Sequence, residues 1–158
     1  MAELEQDAGP FATHRPARWP RMHPAVLAAV FVGGCVGGLG RYLVTRAWPT
    51  GDHGFPWATL AVNCSGAFVL ALLLVLVTEV LAPTTYVRPL LGTGFCGAWT
   101  TFSSVVASTD QLLAHGHRLT GVSYLLVSAV GGLAAAGLGL LLGRALGSAH
   151  DDDDPGGA

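Results

Sequence analysis

Apolar residues fall in four long stretches parted by short polar interruptions, and that pattern predicts a chain that crosses a membrane four times. A spanning helix needs about 20 mainly apolar residues. The stretches that satisfy this run from about Ala25 to Val44, Trp57 to Leu81, Val87 to Leu113 and Leu119 to Leu146. Between them lie turn and charge signals: Pro49, Thr50, Gly51 and Asp52; then Ala82, Pro83 and Thr84; then His115, Gly116, His117 and Arg118. Trp48, Trp57 and Tyr86 sit at the ends, where amphipathic rings suit the membrane interface. The predicted fold class is an all-α membrane protein of four transmembrane helices. One four-helix transmembrane domain covers 25–147. A disordered N-terminal arm (1–24) precedes it and an acidic disordered tail (148–158) follows.

Composition points the same way. Only 11% of the 158 residues are charged, against roughly a quarter in soluble domains, so little charge is available to cover a water-facing surface. All eight basic residues are Arg, and Asp151 to Asp154 supply four of the ten acids. The remainder is mildly basic, which gives no reason to expect nucleic acid as a partner. Cys35, Cys64 and Cys96 lie inside apolar runs and read as small packing residues. The arm is too polar for a cleaved signal peptide, and its Arg15, Arg18 and Arg21 are placed to rest on anionic headgroups.

Small residues crowd two of the helices. Gly33, Gly34, Gly37, Gly38 and Gly40 lie in the first; Gly131, Gly132, Gly137, Gly139 and Gly143 lie in the fourth with Ala134, Ala135 and Ala136. Such spacing lets helix backbones approach, either within one subunit or across a dimer interface. The positive-inside bias puts both termini in the cytoplasm through Arg15, Arg18, Arg21, Arg88 and Arg144, against Arg46, Arg118 and Arg41 opposite. Without the arm the balance is nearly even, which admits insertion in both orientations and an antiparallel dimer.

The polar residues inside the spans carry the chemistry. Arg41 closes the glycine-rich first helix, as a snorkelling anchor or as a fixed charge that concentrates anions. Asn63 sits two turns into the second helix, as a helix–helix hydrogen bond or as a donor lining an ion path. The third span holds Gly92, Gly94 and Gly97 with Thr93, Thr100, Thr101, Ser103 and Ser104 within thirteen positions. A regular helix is costly there, and a break at membrane depth is tolerated only where protein or a cavity surrounds it. Breaks of this kind free carbonyls for a cation and amides or hydroxyls for an anion. Tyr124 and Ser128 share one face of the fourth helix. Glu79 and Asp110 fall near helix ends, so no carboxylate lies mid-membrane. That disfavours the alternative of a small dual-topology multidrug exporter of organic cations, which needs a titratable group in its path. No catalytic constellation appears, so the chain is not expected to be an enzyme.

Three stretches resemble the signatures of the Fluc (CrcB-type) fluoride channel family: Gly34 to Tyr42; Asn63 with Gly66 and Phe68; and Gly94-Phe95-Cys96-Gly97-Ala98-Trp99-Thr100-Thr101-Phe102-Ser103. The resemblance implies a dual-topology antiparallel dimer in the bacterial inner membrane, with the third helix broken mid-membrane. It also implies two pores that let fluoride leave passively. It further implies a structural Na+ at the dimer centre, held by the Gly97 and Thr100 carbonyls. The fluoride pathway it implies comprises Asn63, Phe102 (by its electropositive ring edge), Thr101, Ser103, Tyr124 and Ser128, with Arg41 near the entrance. Two positions depart from the family pattern: Val105 stands where a second Phe is usual, and Gly132 where the fourth-helix track usually continues. Either this subunit makes a reduced pore with a second copy, or a different family subunit supplies the missing ring and this chain is a non-conducting half of a heterodimer.

Overall fold

The computed structural model describes residues 23–51, 54–80 and 85–153, so most of the N-terminal arm and the last five residues of the tail lie outside the described residues. All described regular structure is helical. Among the described residues, four helices or helical runs are long and apolar enough to cross a membrane, as the hydropathy pattern predicts: Pro24–Ala47, Trp57–Thr78, Arg88–Ala114 and Arg118–Ser148.

Helix α1 (Pro24–Ala47) starts on a proline that fixes the first helical dihedral, with the His23 ring accepting the Ala25 amide at 3.3 Å. Helix α2 (Trp57–Val75) follows Pro56 and widens into π-helical turns over Leu76–Val80. The third span opens as a π-helix over Arg88–Cys96, where Pro89 lacks an amide donor and two glycines weaken ordinary α turns. One α turn follows, α3 (Gly97–Trp99), and after two extended residues comes α4 (Phe102–Ala114). Gly116 adopts φ 84° to end α4, with the His117 amide on the Leu112 carbonyl and the Gly116 amide on that of Leu113. Helix α5 (Arg118–Asp153) then returns across the bundle, its backbone running past residue 147, where the hydropathy pattern ends the transmembrane domain.

Two helix pairs are closed by glycine. A Cβ on Gly33 would strike the Leu90 carbonyl, and one on Gly37 the Phe95 carbonyl, so α1 lies directly on the π-helical half of the third span. On the other side of the bundle a Cβ on Gly139 would strike the Phe68 carbonyl, and one on Gly143 would stand 2.7 Å from the Val75 side-chain Cβ. Gly38, Gly132 and Gly137 meet nothing within 4 Å. The small residues therefore divide between packing inside the chain and faces that it leaves open. The buried interior is thin, built on Ala58, Val62, Ala71, Val75, Cys96, Val105, Leu112 and Tyr124. Large apolar side chains such as Phe31, Leu119 and Leu133 stand exposed, as lipid-facing surface requires.

Candidate functional site

Between Trp99 and Phe102 the backbone leaves helical geometry: Thr100 has φ −76° and ψ 154°, Thr101 φ −152° and ψ 110°. Asn63 of α2 meets the interruption. Its Oδ1 accepts the Thr101 amide at 2.7 Å, and its Nδ2 donates to the Thr101 carbonyl at 3.0 Å. A carboxamide presents a donor and an acceptor side by side, which matches the amide and carbonyl of one extended residue; one amide hydrogen of Asn63 remains for another acceptor. Thr101 caps α4, its buried Oγ1 accepting the Ser104 amide at 3.2 Å and standing 3.2 Å from the Ser103 hydroxyl and 3.0 Å from that of Ser104.

These bonds have a consequence for two carbonyls. In a continuous α-helix the Thr101 amide would donate to Gly97 and the Ser104 amide to Thr100. Asn63 takes the first and Thr101 Oγ1 takes the second. Gly97 and Thr100, the pair that the family resemblance points to, are thus among the carbonyls that lose their helical donors at the interruption. The Thr100 amide and hydroxyl both turn back to the Cys96 carbonyl, each at 3.0 Å.

A second polar group lies between α2 and α5. Tyr124 is fully buried, edge-on to Phe55 at 5.2 Å and 89°, with its hydroxyl beside Thr59 and Ser128. Neither the Tyr124 nor the Ser128 hydroxyl closes a hydrogen bond. Buried hydroxyls are nearly always satisfied, so the close group of Thr59, Tyr124 and Ser128 can take up a further polar partner. Thr59 and Asn63 are four residues apart on α2, as Tyr124 and Ser128 are on α5, so each pair forms a row on its helix. Beside Phe55, at the loop end of the bundle, Thr50, Gly51, Gly54, Pro56, Ser108, Gln111, Leu112 and His115 line a cleft of about 460 Å³.

The remaining predicted residues lie apart. Phe102 is 76% exposed, its ring directed off the chain although Thr101 beside it is buried. Ser103 is exposed at the start of α4. Arg41 is half-buried, one helical repeat beyond Gly33 and Gly37 on the side of α1 that faces the third span, and its buried Nε has no hydrogen-bond partner. Val105 is buried, its side chain turned into the chain. Sequence reasoning passed over Thr59, Ser65, Trp99, Ser108, Gln111 and His115. Ser104, Ser108, Gln111 and His115 do recur at 3–4-residue spacing along α4, a polar face that periodicity alone could have found.

Four apolar helical spans, with polar side chains gathered on an interruption in the third, define a multi-pass membrane protein. The family described as CrcB-like protein, Camphor Resistance (CrcB), matches residues 28–140, and the chain belongs to that family. It is 51% identical over 124 residues to fluoride-specific ion channel FluC 3 of Streptomyces avermitilis, the match covering 78% of this chain and 61% of that protein. It is 41% identical over 124 residues to FluC 2 of Nocardia farcinica, covering 78% of this chain and 89% of that one. With FluC 1 of Mycobacterium tuberculosis it shares 40% over 118 residues, covering 75% of this chain and 89% of that protein.

Proposed function

We propose that this chain is a subunit of a fluoride-specific ion channel that releases fluoride passively across the bacterial inner membrane; it is not an enzyme. The relatives named fluoride-specific ion channels support the ion, and the interruption at Thr100–Thr101 supports the mechanism. Fluoride is small and tightly hydrated, so a pore must replace its water with hydrogen-bond donors of its own. Asn63, Thr101, Ser103, Tyr124 and Ser128 are such donors, and the unsatisfied hydroxyls of Tyr124 and Ser128 carry the reading best. Arg41 adds positive charge that draws anions to the entrance.

The pathway is completed by a second chain. Phe102 is largely exposed on its own chain, so its ring edge serves ions moving along a partner's polar row. In this reading two chains insert in opposite orientations and their third spans cross mid-membrane at the interruptions. The diverted carbonyls of Gly97 and Thr100 fit a structural Na+, because hard oxygen donors suit a hard cation. Two carbonyls from one chain underfill its coordination shell, which again calls for a second copy.

Fluoride efflux from liposomes bearing this chain alone, read with a fluoride electrode against a chloride control, tests the proposal. Fast fluoride efflux without chloride movement supports a self-sufficient channel that tolerates Val105. No efflux alone, with rescue by a second family subunit, makes this chain half of a heterodimer. No efflux in either case refutes the channel reading.

A further inference from the structure

The interruption in the third span is held by α2 on both flanks, and the hold on its N-terminal flank involves a residue with no role so far. Trp99 is the last helical residue before the break, and its indole Nε1–H donates to Ser65 Oγ at 3.0 Å. Ser65 in turn donates to the Val62 carbonyl at 3.0 Å, which fixes the orientation of the lone pairs that receive the indole. Two residues away on α2, Asn63 holds the peptide groups of Thr101. Gly66 lies beneath the crossing: a Cβ there would strike the Thr100 methyl and stand 2.9 Å from Trp99 Cδ1. The far edge of the indole is confined by α1, since a Cβ on Gly40 would lie 2.8 Å from its Cζ3. Phe95 stacks on the ring at 5.6 Å and 17°. The glycines make room for the ring, and the hydroxyl aimed at its nitrogen fixes which way it lies.

We propose that Trp99 is a positioning residue: its hydrogen bond to Ser65 fixes the rotation of the Gly97–Trp99 turn and so sets the direction of the Gly97 and Thr100 carbonyls. This rests on the channel reading for its functional consequence, but not for its geometry. In hydrocarbon no water replaces a lost indole partner, so the bond holds even though Ser65 is exposed at the surface of a single chain. Asn63 and Ser65 then act as two pins of one clamp, one after the break and one before it.

The test uses the full-length protein in liposomes, with Trp99→Phe, Ser65→Ala, the double variant and Ser65→Thr, which keeps the hydroxyl. Two quantities are read: amide hydrogen exchange over residues 97–104, and fluoride efflux. Trp99→Phe and Ser65→Ala are each expected to speed exchange there and to slow efflux by about threefold to tenfold. The double variant is expected to be no worse than either single one, and Ser65→Thr to behave as wild type. Wild-type exchange in Ser65→Ala and Trp99→Phe, or additive losses in the double variant, overturns the proposal. If Trp99→Phe fails to fold, the Ser65→Ala and Ser65→Thr pair decides by the same exchange readout. A wild-type protein that moves no fluoride, alone or with a second family subunit, yet shows this exchange pattern supports the clamp and refutes the channel reading instead.

Discussion

The two halves of the third span share one backbone but are held by opposite means. The first half, Arg88–Cys96, is held by shape: Gly33 and Gly37 of α1 bring backbone against backbone at Leu90 and Phe95, and a Cβ on Gly94 would come within 2.6 Å of the Val30 carbonyl. The second half begins at Thr101 and is held by directed hydrogen bonds from Asn63 and from the Thr101 hydroxyl. Close packing is unforgiving of volume but indifferent to polarity; hydrogen bonds are the reverse. The difference teaches where a change should cost assembly and where it should chiefly cost conduction.

The largest effect is expected where volume is added to the shape-held half. Gly37→Leu places a side chain on the Phe95 carbonyl, an overpacking loss of about 3 kcal/mol or more. Loss of monodisperse protein on size exclusion in detergent checks it; normal yield would remove the distinction between the halves. Next comes Asn63→Ala, which strands the Thr101 amide and carbonyl together. About 1–3 kcal/mol of stability is expected to go for each unsatisfied group, and fluoride efflux with it, while assembled protein is still recovered. Efflux near wild type would show that Asn63 serves only as a brace that water or lipid can replace. Tyr124→Phe removes a hydroxyl with no partner, so thermal stability should rise or hold while fluoride efflux falls about tenfold. Unchanged efflux would take Tyr124 off the pathway. The smallest effect is expected for Gly132→Ala, which meets nothing within 4 Å in this chain; a clear loss of dimer on crosslinking would instead mark that face as an interface.

The four spans were legible because hydropathy over 20 residues is a property of the sequence itself, independent of which helix packs on which. The density of glycine and hydroxyl residues from Gly92 to Ser104 marked the irregular span for the same reason. Its π-helical first half was not legible, since π turns carry no hydrophobic period of their own. Asn63 was legible as a residue needing a partner, but not that Thr101 would occupy both of its polar ends. The pairing of Ser65 with Trp99 was not legible, because it depends on how α2 is rotated about the crossing at Gly66. The outward turn of Phe102 is likewise invisible in sequence: it stands next to buried Thr101, and one residue of helix rotation decides the matter.

Helix α5 runs for 36 residues, about 54 Å at 1.5 Å per residue, against a hydrocarbon core of about 30 Å. At an ordinary tilt of about 20° it rises about 51 Å along the bilayer normal, so its last turns reach beyond the hydrocarbon core. A reporter fused beyond it would be carried away from the bundle on a stiff mast. Its accessibility to a membrane-impermeant label would count molecules facing each way. A single population would mean one fixed orientation, and two equal populations would mean that the chain enters the bilayer either way up.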